Sequence, residues 1–88
     1  MPIAEQAYAE LTLRTVGVLN LVVEQRTRRE ITEAMGIPAS TLRDMLGRLE
    51  SLTGSENQRE LARWWQQNRV PWVRWLLGQM GLTLGDLA

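Results

Sequence analysis

Gly36-Ile37-Pro38 lies between two stretches whose apolar residues recur at intervals of three and four, and this corner restricts the chain more than any other feature. Upstream, Thr27 followed three residues later by Glu30 predicts a capping box. The hydroxyl accepts an orphan backbone N–H and the carboxylate reaches back to the cap. A helix should therefore open at Arg28, with Ile31, Ala34 and Met35 on one face. It should stop after about two turns at Gly36, which takes up the left-handed conformation without a Cβ clash. Pro38, with a preset φ and no N–H, is tolerated only in a first helical turn, so a second helix should start near residues 38–40. The spacing of Leu42, Met45, Leu46 and Leu49 predicts its buried stripe. Ala39, Ser40, Arg43, Asp44, Gly47 and Arg48 are left outward, all small, polar or charged.

At Met35, Gly36, Ile37, Pro38, Ser40, Thr41 and Leu42 the chain resembles the helix-turn-helix family of bacterial transcription regulators, over about a third of its length. The resemblance implies that the second helix is a recognition helix. Ala39, Ser40, Arg43 and Asp44 would then be base-reading positions, and Thr27, Arg28, Thr41 and Arg48 phosphate contacts, with Arg29 beside them. An arginine at position 43 is long enough to reach a guanine bidentately. Asp44 would either accept from a cytosine amino group or pair with Arg48 four residues on. The family usually carries alanine where this chain has Thr32. A plain helical hairpin, with the glycine and proline making only a tight corner, is the alternative reading.

At 88 residues the chain fits a single domain with a small core. It has no cysteine and no histidine, so thiolate chemistry, the common zinc sites and imidazole acid–base catalysis are excluded together. No phosphate-binding glycine loop occurs, and the serines have no histidine or lysine to activate them. The expectation is a protein that is not an enzyme and uses no cofactor or metal. Formal net charge is zero, which opposes nucleic-acid binding, since counterion release needs local positive charge. The distribution answers part of this: Arg26, Arg28 and Arg29 cluster where the first motif helix begins, and Arg43 and Arg48 lie on the second. No apolar run is long enough to span a bilayer and no leader pattern opens the chain, so a soluble cytoplasmic location without membrane contact is expected.

Ahead of the motif, Ile3, Ala7, Tyr8, Leu11, Val18, Leu19 and Val22 predict one long helix over residues 3–25, interrupted by Gly17, where either a bend or a close neighbouring helix is expected. After it, no period-two alternation suggests a wing hairpin. Ser55 and Gln58 predict a capping box opening a helix over residues 56–68, and Pro71 should start another over residues 71–80, stopped by Gly81. Residues 83–88 suggest a last turn capped by Thr83. The expected architecture is therefore one all-α domain of five helices: an N-terminal helix (residues 1–26), a helix-turn-helix (27–52) and a Trp-rich helical pair (53–88). Leu61, Trp64, Trp65, Trp72, Trp75 and Leu76 would form a packing or homodimer surface, because a domain this small has little core to cover them. Stacking of unpaired bases on the tryptophans is a weaker reading. The function expected is sequence-specific binding of double-stranded DNA by a dimeric, repressor-like regulator. The rival is a protein-interaction module that uses the tryptophan surface without nucleic acid.

Overall fold

Residues 4–87 of the chain are described by a computed structural model. They form five α-helices and a closing 3-10 turn, with no strand among the described residues. The helices are α1 (Ala4–Glu10), α2 (Leu13–Val23), α3 (Arg28–Met35), α4 (Ala39–Thr53) and α5 (Gln58–Gln79), and the turn spans Leu84–Leu87. The domain measures 38 × 30 × 18 Å. Helix α2 is central: it packs most extensively along α5 and also against α3, while α4 rests on α3 and α5 and α1 on α5 and α4. Val18, Leu19 and Val22 of α2, Ile31 of α3, Leu42, Leu46 and Leu49 of α4, and Leu61 and Trp65 of α5 make the buried centre.

Five helices are present, but two of the expected boundaries move. The single N-terminal helix is broken at Thr12, whose hydroxyl accepts from the Thr15 backbone N–H at 3.2 Å while its own N–H donates to Thr15 Oγ1 at 2.8 Å. A threonine thus takes the part that glutamate or glutamine plays in the usual capping box, and the local hydroxyls win over helix continuation. Leu13 is left 83% exposed. Ile3 lies outside the described residues.

The second correction merges two helices into one. Asn57, not Ser55, caps α5 by accepting from the Glu60 N–H at 2.9 Å, and the helix continues through Pro71 to Gln79. Pro71 is exposed. Its ring removes the donor for the Gln67 carbonyl, which water can satisfy because Gln67 is also exposed. Leu61, Trp65, Trp72 and Leu76 stay on one helical line across the proline, so a single continuous helix buries more than two short ones would. At the end of the chain, Thr83 donates through its N–H and hydroxyl to Asp86 Oδ2, at 2.7 and 3.1 Å. This last turn involves Thr83 as expected, with the aspartate as acceptor; Ala88 lies outside the described residues.

Gly17 allows close packing of α2 on α3: a Cβ there would meet the Met35 Cε and Sδ at 3.2 and 3.3 Å. Ala34, expected on the buried face of α3, is exposed, and Met35 is half-buried. The apolar stripe of this short helix is narrow, with Ile31 as its one fully buried residue.

The aromatic residues form one chain of contacts between α1 and α5. Tyr8 lies against Trp64 and Trp75 at 6.2 and 6.1 Å, Trp64 stacks on Trp65, and Trp65 tilts against Trp72 at 5.7 Å. Tyr8 donates its hydroxyl to Asn68 Oδ1 at 2.7 Å, and Trp65 donates Nε1–H to Asn20 Oδ1 at 2.8 Å, tying α5 to α1 and α2. Burial raises the Tyr8 phenol above its ordinary pKa, with Glu5 adding to the effect. Leu61, Trp65 and Trp72 are buried within the single chain, which is the packing side of the packing-or-dimer expectation. The length and continuity of α5 bring them inward. Trp64, Trp75 and Leu76 are half-buried.

Four helix ends close in the same way, with a backbone N–H reaching the carbonyl five residues back: Arg26 to Leu21, Ile37 to Thr32, Ser55 to Glu50 and Leu82 to Leu77. Each closure needs one residue at positive φ. Gly36, Gly54 and Gly81 supply three, and Gln25, at φ 61°, supplies the fourth. A left-handed conformation costs a residue with a Cβ roughly 1–2 kcal/mol, while glycine carries an entropic cost of its own. Gln25→Gly should accordingly raise the unfolding free energy by about 0.5–1 kcal/mol, seen as a higher urea midpoint at unchanged slope. A lowered midpoint would mean that the Gln25 side chain stabilises this end of α2.

Candidate nucleic-acid interface

Helix α3 opens on the predicted capping box: Thr27 Oγ1 accepts from the Glu30 N–H at 3.1 Å, and Glu30 Oε1 accepts from the Thr27 N–H at 2.9 Å. The backbone bond from Thr27 is the main cause holding the Glu30 carboxyl below its ordinary pKa, with the Thr27 hydroxyl and Arg26 adding to it. Thr27 uses its oxygen as an acceptor in this cap, which leaves the hydroxyl proton free to donate outward. The helix ends at Gly36, φ 64° and ψ 37°, with the N–H groups of Gly36 and Ile37 both bonded to the Thr32 carbonyl. The Thr32 hydroxyl turns onto the Arg29 carbonyl at 2.8 Å, so a threonine is accommodated at that position without an unpaired polar group.

Helix α4 begins differently from the helices around it. Thr12, Thr27 and Asn57 cap α2, α3 and α5 with side-chain acceptors, whereas Pro38 offers α4 none. The first bond into α4 runs from the Leu42 N–H to the Pro38 carbonyl at 3.1 Å. The N–H groups of Ala39, Ser40 and Thr41 therefore lack an acceptor among the described residues, and the positive end of the helix dipole meets solvent. Ala39 and Ser40 are exposed.

Beside this open end lies a groove of about 450 Å³ between α3 and α4, bordered by Arg28, Arg29, Thr32, Ala39, Ser40 and Arg43. Arg28 forms no ion pair among the described residues; Arg29 leans on Glu33 at 3.2 Å, and Arg43 lies 3.8 Å from Asp44. Both pairs are well exposed, and such contacts hold their arginines by little, so the guanidiniums are available to another anion. Asp44 thus neighbours Arg43 and does not pair with Arg48, the partner expected from helical spacing.

With about 3.6 residues per turn, Ser40, Asp44, Gly47 and Ser51 share the line of α4 furthest from its buried stripe. Arg43 flanks this crown on the α3 side. Thr41 and Arg48 fall on the other flank, in a depression of about 280 Å³ that Glu10, Thr12, Arg14 and Thr15 complete. Of the residues singled out in the sequence, Arg28, Arg29, Ala39, Ser40 and Arg43 come together in one groove, Thr41 and Arg48 lie opposite, Asp44 is on the crown and Thr27 stands at the start of α3. Arg14 was not foreseen. Only the break at Thr12 puts it in the first turn of a helix near Arg48, and the Thr12–Thr15 spacing was the signal for that break.

The arrangement is a small, weakly charged ridge with cationic groups down both sides and free backbone donors at one end. Chemically it suits an extended anion that passes on either side of α4. The indoles, by contrast, are engaged with one another and with Tyr8, with Trp65 and Trp72 buried and Trp64 and Trp75 half-buried. Comparison of the chain with protein-family models, with curated proteins and with solved structures finds no match.

Proposed function

We propose that the chain binds double-stranded DNA sequence-specifically, with α3, the corner at residues 36–38 and α4 acting as a helix-turn-helix, and that it regulates transcription by occupying an operator. The observation that supports this most directly is the convergence of Arg28, Arg29 and Arg43 on one groove beside the uncapped start of α4. In this reading α4 enters the major groove, and its small residues Ala39, Ser40 and Gly47 permit close approach to base edges. Arg43 pairs with a guanine. Arg28, Arg29 and the free N–H groups at the start of α4 take phosphates on one side, and Arg14 and Arg48 take them on the other. Zero net charge is compatible with this because five of the ten arginines, Arg14, Arg28, Arg29, Arg43 and Arg48, border the two flanks of α4. Two copies of the chain would read half-sites about 34 Å apart, as a symmetric dimer on a palindrome. With Leu61, Trp65 and Trp72 in the core, such a dimer would use the half-buried Trp64, Trp75 and Leu76 with their exposed neighbours.

Gel-shift titration on a duplex selected from random sequence tests the proposal. Four phosphate-contacting arginines on each copy, eight across the dimer, predict that log affinity for the palindrome falls against log salt with a slope at least as steep as about −7. Arg28→Ala removes one contact from each copy and should weaken binding to all duplexes alike and reduce the slope by about 2, whereas Arg43→Ala should cost about 1–3 kcal/mol at each half-site and broaden the preference. Binding indifferent to both changes would overturn the assignment. Failure to bind any duplex at low salt would favour the interaction-module reading, for which the exposed Val70, Met80, Leu82 and Leu87 offer apolar contact.

A further inference from the structure

A second basic concavity lies away from α4, between the end of α2 and the first half of α5. It holds about 590 Å³ and is bordered by Arg26, Arg59 and Arg63, with the carboxamides of Gln25, Gln58 and Gln66 around them and Val22, Val23 and Ala62 at its base. Arg26 is held to Glu24 at 3.2 Å and lies 3.8 Å from Glu30. Arg59 and Arg63 have no ion pair among the described residues, although they stand one helical turn apart, where like charges repel. Glu56 and Glu60, each three residues before one of these arginines, make no ion pair with them. Gln25 sits at the mouth in a left-handed conformation that glycine takes at the three other closures of this kind, so a side chain is kept there at a cost.

From these features we infer that the α2–α5 concavity is a second anion site, taking phosphates of the nucleic-acid backbone beyond the segment that α4 reads. The inference rests on the DNA-binding reading above and extends its footprint to α5. Guanidiniums supply charge and paired donors, and the carboxamides supply neutral donors that bend to phosphate or sugar oxygens. The shape argues for a backbone over a small metabolite. Small-molecule sites are mostly apolar and enclose their ligand, whereas this concavity is open and six of its nine lining residues are polar. Arg26 also stands immediately before Thr27 and Arg28, so one turn of chain joins the concavity to the α3–α4 groove.

The test compares the full chain with the double variant Arg59→Gln/Arg63→Gln and with a control, Arg69→Gln/Arg74→Gln, which removes the same charge from α5 outside the concavity. All four arginines are exposed and none is ion-paired among the described residues, so helix content should stay unchanged in both variants, and the urea midpoint should hold in the control and rise slightly in Arg59→Gln/Arg63→Gln as the repulsion is relieved. On a duplex extending at least a turn beyond each half-site, losing two phosphate contacts from each copy, four across the dimer, should reduce the salt slope by about 4 and weaken binding, while the control keeps the original slope. If the unmodified chain binds and the first variant keeps its slope, or if both variants lose slope equally, the second site is refuted while the α4 assignment stands. If the unmodified chain binds no duplex, both fall together.

Discussion

Trp65→Ala is expected to lower the unfolding free energy by about 3–5 kcal/mol, the range for emptying a large aromatic site, and so to leave a domain of this size largely unfolded. Trp65 is 2% exposed, stacks on Trp64, tilts against Trp72 and donates its N–H to Asn20. Truncation removes these contacts together and strands the Asn20 carboxamide oxygen, which is near enough to the surface to turn to water. The neighbouring indole gives a sharp contrast. Trp72 Nε1 is buried and has no acceptor among the described residues, and an unsatisfied buried donor costs about 1–3 kcal/mol. Trp72→Phe discards that donor along with part of the ring, so the packing loss and the relieved desolvation should cancel to within about 1 kcal/mol. Trp65→Phe should cost more than Trp72→Phe because it deletes a hydrogen bond as well as volume. Urea denaturation followed by circular dichroism at the helix band checks all three. Equal costs for the two phenylalanine variants would contradict the different roles of the two indole N–H groups.

Pro71→Ala should move stability in the opposite direction. A proline inside a helix is about 3 kcal/mol less favourable than alanine, and its restriction of the unfolded chain returns about 0.4–1 kcal/mol of that. The substitution should therefore stabilise the domain by about 2 kcal/mol, restoring a donor to the Gln67 carbonyl without disturbing the buried side of α5. The experiment distinguishes the continuous helix from the two-helix arrangement suggested by the sequence. Were Pro71 the first residue of a separate helix, its missing N–H would cost nothing there, and replacing it would leave stability unchanged or lower it.

Local signals with a defined stereochemistry were legible in the residues. The Thr27–Glu30 box, the glycine closure at Gly36 and the stripe Leu42, Leu46 and Leu49 all occur as their spacing predicts. Two other boundaries depended on competition that spacing does not display. At Thr12 two hydroxyls replace the expected carboxylate in a capping box, and an apolar pattern that runs across the break conceals it. At Pro71 the local rule for proline is overruled by Trp65, Trp72 and Leu76, whose common line on α5 outweighs one missing hydrogen bond. The candidate groove was readable as residue types, since Arg28, Arg29, Arg43 and Arg48 occur among small and polar residues in this stretch. What borders each flank of α4 was not, because it is set by the placement of α3 on one side and of the α1–α2 corner on the other. The tryptophan spacing predicts a packing or dimer surface, and how far each indole is buried depends on the single long helix.

The chain's five aromatic rings all lie along α1 and α5, and α3 and α4 contain none. Intrinsic fluorescence therefore reports on one half of the molecule and is nearly blind to the other. A duplex seated on α4 alone would leave the emission almost unaltered, whereas a contact reaching the first half of α5 would perturb the indoles beside it. The protein thus carries its own optical means of telling a short footprint from a long one, with no dye attached.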